Sequence, residues 1–328
     1  MKFFYCHSVR WLGRVCCLAR LTFGVFLPFH TFDASFGLVR DVVLECERLG
    51  YESVHFDDHL MYGKAPVLEC WTKLSALAAV TSRIRLGTTV LCSSFRSPGL
   101  LAKMAATLDV ISNGRLDLGV GAGVQKSEHV AYGFAFPKAV ERVERLKETV
   151  VILKRMWLEE KATYLGKYFR IVDAVCEPKP VQRPHPPITV GGSGEKLTLR
   201  VQAEMADRVD WGYLPTIQDY AHKLWVLQGY CEGFGRDFGE IQLSAWLGGR
   251  IFLAEDRKDL EMQLEEWKPR DVSLDSFRFL NFVGTPDEMV ERIGEYTELG
   301  VTHFMLFFGD FPRTESLEVF AERVIKKV

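Results

Sequence analysis

The chain has 328 residues, of which 48% are hydrophobic and 26% are charged, and its formal net charge is -2. This is the composition of a globular enzyme with one large domain or two ordinary ones. The net charge provides no positive electrostatic field to attract a nucleic-acid backbone. The sequence also has no apolar segment of about 18 residues, the length that a membrane span needs. We therefore expect a cytoplasmic protein with a small-molecule substrate and with no nucleic-acid or membrane partner.

Eight cysteines are scattered along the chain without a CxxC pair or the spacing of metal ligands. They are Cys6, Cys16, Cys17, Cys46, Cys70, Cys92, Cys176 and Cys231. Free thiols in a reducing compartment are the simplest interpretation, so we predict no disulfide and no metal site.

The first 20 residues contain four basic side chains, no acidic ones, and aromatic residues that follow neither a helical nor a strand period. Arg10, Arg14 and Arg20 interrupt the apolar core that a secretory signal needs. We predict an extension outside the fold over residues 1–20. An arm that contacts a membrane or a second subunit is the alternative.

From Leu21 onward, short apolar runs alternate with amphipathic helices. The run LTFGVFLPF predicts a first strand, and the helix after it is predicted to stop at Gly50. The apolar residues that recur at helical spacing in this helix are Leu38, Val42, Cys46 and Leu49. The next predicted elements are the strand SVHF, a helix over 68–82, the strand RIRLGTTVLC, a helix over 98–111 and the strand GRLDLGVG.

The second half repeats the alternation with one insertion. A long helix over 138–158 is followed by YLGKYFRI, which predicts an inserted hairpin. The remaining predicted elements are the strand PPITVGG, a helix from Glu195, the strand ADRVDWG, a helix over 217–233, the strands LSAWLGGRIFLA and FRFLNFVG, a helix opened by TPDEM, the strand THFMLFF and a helix over 315–327. Strands separated by helices predict a parallel sheet, and about eight such units suit a closed (β/α)8 TIM barrel with insertions. We expect one α/β domain over residues 21–328.

In such a barrel the active site lies at the carboxyl ends of the strands. Asp57, Asp58 and His59 directly follow the strand SVHF, although a helix N-cap or a surface turn would also explain short polar residues there. The loops after the next three strands, TTVLCSSFRSP, GVGAGVQKSEH and VGGSGEK, are rich in small residues. The last of them opens a helix, whose free N–H groups attract an anion. We predict a phosphate site formed by Gly191, Gly192, Ser193 and Gly194.

The glycines of GVGAG do not lead into a dinucleotide fingerprint, which argues against a nicotinamide Rossmann fold. Five segments instead resemble the luciferase-like monooxygenase superfamily of flavin- and deazaflavin-dependent barrels. They are, in order, LDVISNGRLDLGVGAG, EHVAYGFAFP, ERVERLKE, PKPVQRPHPPITVGGSGEK and GTPDEMVERI. In this superfamily an Asp-His pair after the second strand is typical of members that use coenzyme F420, and Glu-His-His of members that use reduced FMN. This chain has Asp58 and His59.

The resemblance implies positions for the cofactor. His59 would lie beside the deazaflavin ring with Asp58 adjoining it, and the third strand would end in a bulge with a non-proline cis peptide between Thr89 and Val90. The other implied cofactor-binding residues are Cys92, Gly121 and Gly123 together with the phosphate site Gly191, Gly192, Ser193 and Gly194.

The resemblance also has departures. Relatives that oxidise a sugar phosphate have a catalytic glutamate just after the glycines of the fourth strand, where this chain has Val124 and Gln125, so we expect a different substrate. Glu128 and His129 match the family's Glu-His pair, for which both a loop-anchoring role and a chemical one stay open. We expect the insertions over 159–178 and 255–280 to wall the substrate pocket.

Histidine is the side chain best suited to proton transfer at neutral pH, so His59 is the predicted general acid/base and Asp58 its orienting partner. The alternative is that His59 only hydrogen-bonds the cofactor. Three functions follow from these features. The first is an F420-dependent oxidoreductase, similar to methylenetetrahydromethanopterin reductase, that transfers a hydride between the deazaflavin C5 and a small organic substrate. The others are a two-component FMN monooxygenase with a partner reductase and a non-catalytic flavin-binding barrel; in each case we expect a homodimer or higher homo-oligomer.

Overall fold

Eight parallel strands, β1 to β8, close into a barrel in the computed structural model, which describes residues 20–28 and 35–328. Their bounds are β1 Thr22–Phe26, β2 Ser53–Phe56, β3 Arg85–Thr88, β4 Leu116–Gly121, β5 Ile188–Gly191, β6 Arg208–Asp210, β7 Gln242–Trp246 and β8 His303–Leu306. Each strand pairs with the next, and β8 returns to β1, where Thr22 lies opposite His303. The predicted (β/α)8 barrel is confirmed. Apart from Arg20, the extension predicted over residues 1–20 lies outside the described residues.

Helices follow most strands and pack around the barrel. In the described part of the chain they span Phe36–Leu49, Cys70–Val80, Pro98–Ile111, Lys126–Ala131, Ala139–Leu158, Thr198–Met205, Ile217–Phe234, Arg257–Trp267, Leu274–Leu280, Pro286–Glu298 and Glu315–Phe320, the last continuing as a π turn over Ala321–Ile325. The first helix begins where Ser35 Oγ accepts the Leu38 N–H at 3.3 Å. It ends at Gly50, whose φ of 87° favours glycine. None of these helices is long and apolar enough to cross a membrane.

The predicted inserted hairpin is present as the antiparallel strands Ala162–Leu165 and Arg170–Ala174. The predicted strand FRFLNFVG is wrong for its first half, because Leu274–Leu280 is a helix whose N-cap is Ser273. Only Phe282–Gly284 is extended. It pairs with Ile251–Leu253 in a small sheet outside the barrel.

The run LSAWLGGRIFLA, predicted as one strand, divides at its two glycines into β7 and the outer strand Ile251–Leu253. A Cβ on Gly248 would lie 2.6 Å from the backbone N of Phe282, so the close approach of these two segments requires glycine. Short apolar runs fit a helix and a strand equally well, and long-range pairing decides between them.

The barrel interior contains ionisable side chains near the amino ends of its strands. Arg85 Nη2 donates to Asp117 Oδ1 at 2.6 Å, and Arg208 Nη1 lies 3.7 Å from the other carboxylate oxygen. Burial acts to raise the pKa of Asp117, but the two guanidinium groups hold it well below its usual range.

Two buried histidines lie in the same interior layer. His55 Nε2 is 2.9 Å from Ser53 Oγ, and His303 Nδ1 is 2.8 Å from Thr22 Oγ1. Burial lowers the pKa of His55 to about 4 and the pKa of His303 well below its ordinary value. Both imidazoles are therefore neutral at pH 7.

Candidate active site

Most of the predicted site residues line one cavity of about 230 Å³ at the carboxyl ends of β2 to β5. They are Asp58, His59, Thr89, Val90, Cys92, Gly121, Gly123, Gly191 and Gly192. Ser193 and Gly194 follow directly in the chain and are exposed beside this cavity. The residues predicted from four separate loops are thus brought together.

A larger cavity of about 680 Å³ opens at the opposite end of the barrel, around Thr22, Glu52 and Thr302. It lies at the amino ends of the strands and has no histidine or cysteine among its described lining residues. Catalytic groups of such barrels lie at the carboxyl ends. We therefore assign the candidate active site to the smaller cavity, despite its size.

His59 lies at the mouth of the cavity, and its Nδ1 is 3.2 Å from Glu128 Oε2. The Glu128 side chain is only 2% exposed and also accepts the backbone N–H groups of Leu60 and Met61, the latter at 3.1 Å. A carboxylate at Nδ1 selects the imidazole tautomer that carries its lone pair on Nε2. Glu128 therefore anchors the loop and orients the imidazole at once.

Asp58 is the buried carboxylate of the triplet, with 1% of its side chain exposed. Arg96 donates to both of its oxygens, at 2.7 and 3.0 Å, and the backbone N–H of Cys92 donates to Oδ2 at 2.9 Å. Asp58 thus ties the end of β2 to the loop after β3. We therefore reassign the orienting contact of His59 from Asp58 to Glu128.

Sequence reasoning missed Arg96. Its only signal was a single basic residue in the small-residue loop SSFRSP, which says nothing about a partner. Glu128 matches the Glu-His pair of the family, and its contacts with the N–H groups of Leu60 and Met61 favour a loop-anchoring role.

The floor of the cavity is formed by the end of β3. The peptide between Thr89 and Val90 is cis, as the resemblance implied. A Cβ on Gly121 would lie 2.6 Å from Val90 Cγ2, and one on Gly191 would lie 2.7 Å from Val90 Cγ1. The two glycines therefore leave the space that the apolar Val90 isopropyl group occupies in the cavity wall.

The predicted phosphate loop precedes the helix Thr198–Met205. Gly192 has a φ of 115°, a conformation that side chains rarely adopt, and its N–H donates to Asp210 O at 2.8 Å. The helix predicted from Glu195 begins at Thr198, after a turn over 195–197. The exposed Ser193 and Gly194 precede this turn, and Gly194 O accepts the N–H groups of Thr198 and Leu199.

The insertions predicted to wall the substrate pocket lie away from the cavity of the predicted cofactor residues. Among the described residues, none from 159–178 or 255–280 lines this cavity. Phe169 lines a separate cavity of about 200 Å³ behind Phe95, and Trp267 packs on a small core beside the outer strand. Aromatic content did not reveal which side of the barrel these segments cover.

Comparison with known proteins identifies the family of this chain. The profile of the luciferase-like monooxygenase family matches residues 21–303. A protein of Microbacterium testaceum named F420-dependent glucose-6-phosphate dehydrogenase is 31% identical over 86% of this chain and 90% of its own length. One of the same name from Segniliparus rotundus is 30% identical over 85% and 90%.

Solved structures agree on the fold. An F420-dependent secondary alcohol dehydrogenase, in complex with an F420-acetone adduct, has a TM-score of 0.78 at 20% identity and covers 93% of this chain and 98% of its own. A monooxygenase from Streptomyces bottropensis has a TM-score of 0.76 at 26% identity and covers 94% and 99%. The barrel and its strand-end cavity define an oxidoreductase of the flavin-barrel class. The chain belongs to the luciferase-like monooxygenase family.

Proposed function

We propose that this protein is a coenzyme F420-dependent oxidoreductase that transfers a hydride between the deazaflavin C5 and a small organic substrate. The observation that carries the proposal is the pair Asp58 and His59 at the end of β2, with His59 at the mouth of the cavity that the predicted cofactor residues line. The two relatives named as F420-dependent enzymes support the cofactor. We keep a homo-oligomer and a cytoplasmic location as parts of the same proposal.

The cavity suits a flat ring with a phosphate-bearing tail. Val90, flanked by Gly121 and Gly191, offers the ring an apolar surface without obstructing side chains. The exposed Ser193 and Gly194, in the loop that leads to the helix Thr198–Met205, would hold the phosphate. These residues therefore fit the cofactor.

When bound, the reduced deazaflavin supplies a hydride from C5, and the protein has to position the acceptor, exclude water and handle one proton. His59 is our candidate for the proton. With Nδ1 directed at Glu128, the lone pair on Nε2 accepts a proton from an alcohol, and the protonated imidazole returns one to a carbonyl oxygen.

The substrate is expected to differ from the sugar phosphate in the names of the relatives. Val124 and Gln125 stand where such enzymes have their glutamate; both line the cavity, and Val124 is 82% exposed. Neither side chain is ionisable, so neither can replace the glutamate in proton transfer. We infer a small carbonyl compound, alcohol, imine, alkene or pterin-bound one-carbon unit.

A two-component FMN monooxygenase is the second candidate, favoured by the 26% identical monooxygenase of Streptomyces bottropensis. A non-catalytic barrel receives no support from an open cavity with an imidazole at its mouth.

The test is anaerobic oxidation of reduced F420 with a panel of ketones, enones and imines. We expect His59→Ala to lower turnover by about a hundredfold with a much smaller change in cofactor affinity. Glu128→Gln, which still accepts the loop N–H groups but carries no charge, should lower it by about tenfold. The control is Glu141→Gln, which loses only a half-exposed pair with Arg145 and should keep wild-type turnover.

If His59→Ala turns over every active substrate at the wild-type rate, the acid/base assignment is wrong. If His59→Asn keeps turnover at saturating cofactor, His59 only holds the ring. Oxygen-dependent consumption of reduced FMN, with no reaction of reduced F420, would establish the second candidate instead.

A further inference from the structure

We propose that Cys92 and His129 form a nucleophile–base pair in the wall of the candidate active-site cavity. This thiol is a covalent modification site for small soft electrophiles, and its adduct blocks the cofactor. The inference stands on the arrangement of the two side chains and does not require the proposed F420 chemistry.

The geometry of the pair is that of a thiol donating to an imidazole. Cys92 Sγ lies 3.5 Å from His129 Nε2, and His129 Nδ1 lies 2.8 Å from Gln125 O. Because a carbonyl oxygen only accepts, Nδ1 carries the hydrogen and Nε2 carries the lone pair. The Cys92 S–H is therefore the donor, and His129 is placed to receive its proton.

Both partners are held in position. The His129 ring lies between Phe95 and Phe136, each with a centroid distance of 4.8 Å. The Cys92 backbone N–H is fixed on Asp58. The base and the nucleophile are thus preorganised rather than mobile.

Glycine at position 123 makes room for the pair. A Cβ there would lie 2.7 Å from Cys92 Sγ and 3.0 Å from His129 Cε1, and the φ of Gly123 is 77°. Cys92, Gly123 and His129 all line the cavity. A small planar molecule that enters the cavity is therefore placed beside Cys92, which is 8% exposed.

The remaining described cysteines provide an internal comparison. Cys46, Cys70, Cys176 and Cys231 are free and fully buried, and each lies in the apolar core. Cys92 differs from them by its imidazole neighbour and by its place in the cavity wall.

The chemistry depends on the base. Burial raises the pKa of the Cys92 thiol to about 11, so the sulfur is protonated at neutral pH and needs a proton acceptor to attack. With N-ethylmaleimide, the sulfur bonds to one alkene carbon and the C=C π bond breaks. The S–H proton passes to His129 Nε2 and then to the adjacent carbon. The addition is redox-neutral and needs no further reactant.

The experiment measures maleimide labelling of each cysteine of the full chain by peptide mass spectrometry. We expect Cys92 to be labelled at least about tenfold faster than the four core cysteines, and His129→Gln to slow that labelling by about tenfold or more. Saturating F420 should protect Cys92, and labelled protein should lose F420 binding. In Cys92→Ser, maleimide treatment should leave that variant's own F420 affinity unchanged.

Labelling of Cys92 no faster than that of the core cysteines would overturn the proposal, as would an unchanged rate in folded His129→Gln. If that variant does not fold, wild-type labelling more than about a hundredfold slower than that of N-acetylcysteine at the same pH overturns it, because an unassisted thiol of raised pKa reacts that slowly. Labelled protein that keeps its F420 affinity would refute the blocking. If F420 does not bind at all, the proposed function fails, and FMN then serves as the protecting ligand.

Discussion

Asp58 and Asp57 are neighbours in the chain but differ in their surroundings. Asp58 is buried in a two-pronged ion pair with Arg96, whereas Asp57 is half-buried at the cavity. Removing one partner of a buried pair leaves the other charge poorly compensated, which costs more than the pair itself contributes. In this case Glu69 still contacts Arg96 and compensates part of its charge.

We expect Asp58→Asn to lower the free energy of unfolding by about 2–4 kcal/mol, because Arg96 loses its charged acceptor. Urea unfolding at pH 7 measures it. Asp41→Asn, which changes an exposed ion pair with Arg40, is the control, with an expected change below about 0.5 kcal/mol and retained turnover. Equal stabilities of the two variants would contradict the role that we give to the Arg96 pair.

At the scale of structural elements, we expect cofactor binding to depend on the backbone conformation of the loop between β5 and the helix Thr198–Met205. Its glycine at position 192 has a φ of 115°, which strains any side chain, and a Cβ there would lie 3.3 Å from Thr198 Cγ2. Gly192→Asp should place a carboxylate against the cofactor phosphate and weaken F420 binding more than tenfold, about 1.4 kcal/mol or more.

Gly192→Ala is the control for Gly192→Asp, because it brings the same backbone strain at a φ of 115° and the same contact with Thr198, but no charge. Fluorescence titration of both variants decides the matter. Equal losses of affinity would attribute the effect to strain and remove the loop from the site.

Elements with a repeating local pattern could be predicted from the sequence. The helix Ala139–Leu158 and the hairpin after it follow from periodicity and turn residues within one segment. The segment Leu274–Leu280 could not, since its apolar residues fit either state and pairing with Ile251–Leu253 leaves only Phe282–Gly284 extended.

The site shows the same division. The end of β2 and the glycine-rich loops were predictable because each lies in one stretch of chain, and the family resemblance supplied the cis peptide. The ion pair of Asp58 with Arg96 and the contact of His59 with Glu128 join residues 38 and 69 positions apart. No local pattern encodes such contacts, which only the closed barrel brings about.

Across the whole molecule, the neutral histidines of the barrel interior make stability depend on pH. The folded-state pKa of His55, about 4, lies below the ordinary histidine value of about 6.5. Below pH 6.5 the unfolded chain binds a proton that the folded barrel does not, so stability is full above pH 6.5 and is lost as the pH falls toward 4. His303 acts in the same direction. The stabilisation from Asp117, whose pKa is lowered, is lost only when the pH falls below the ordinary carboxyl range.

We expect the free energy of unfolding to fall by roughly 1.6 kcal/mol through His55 between pH 6.5 and pH 5, with His303 adding to the loss. Denaturant titrations across that range measure it. His55→Gln should remove the part of this loss that comes from His55. A wild-type stability that does not vary from pH 7 to pH 5 would contradict the neutral barrel interior.

The central claim is that the strand-end cavity binds a deazaflavin. Titration of the purified protein with F420 and with FMN, each followed by fluorescence quenching at fixed salt, tests it most directly. We expect micromolar F420 binding with FMN about a hundredfold weaker, a difference of about 2.7 kcal/mol. FMN binding more tightly than F420 would contradict it.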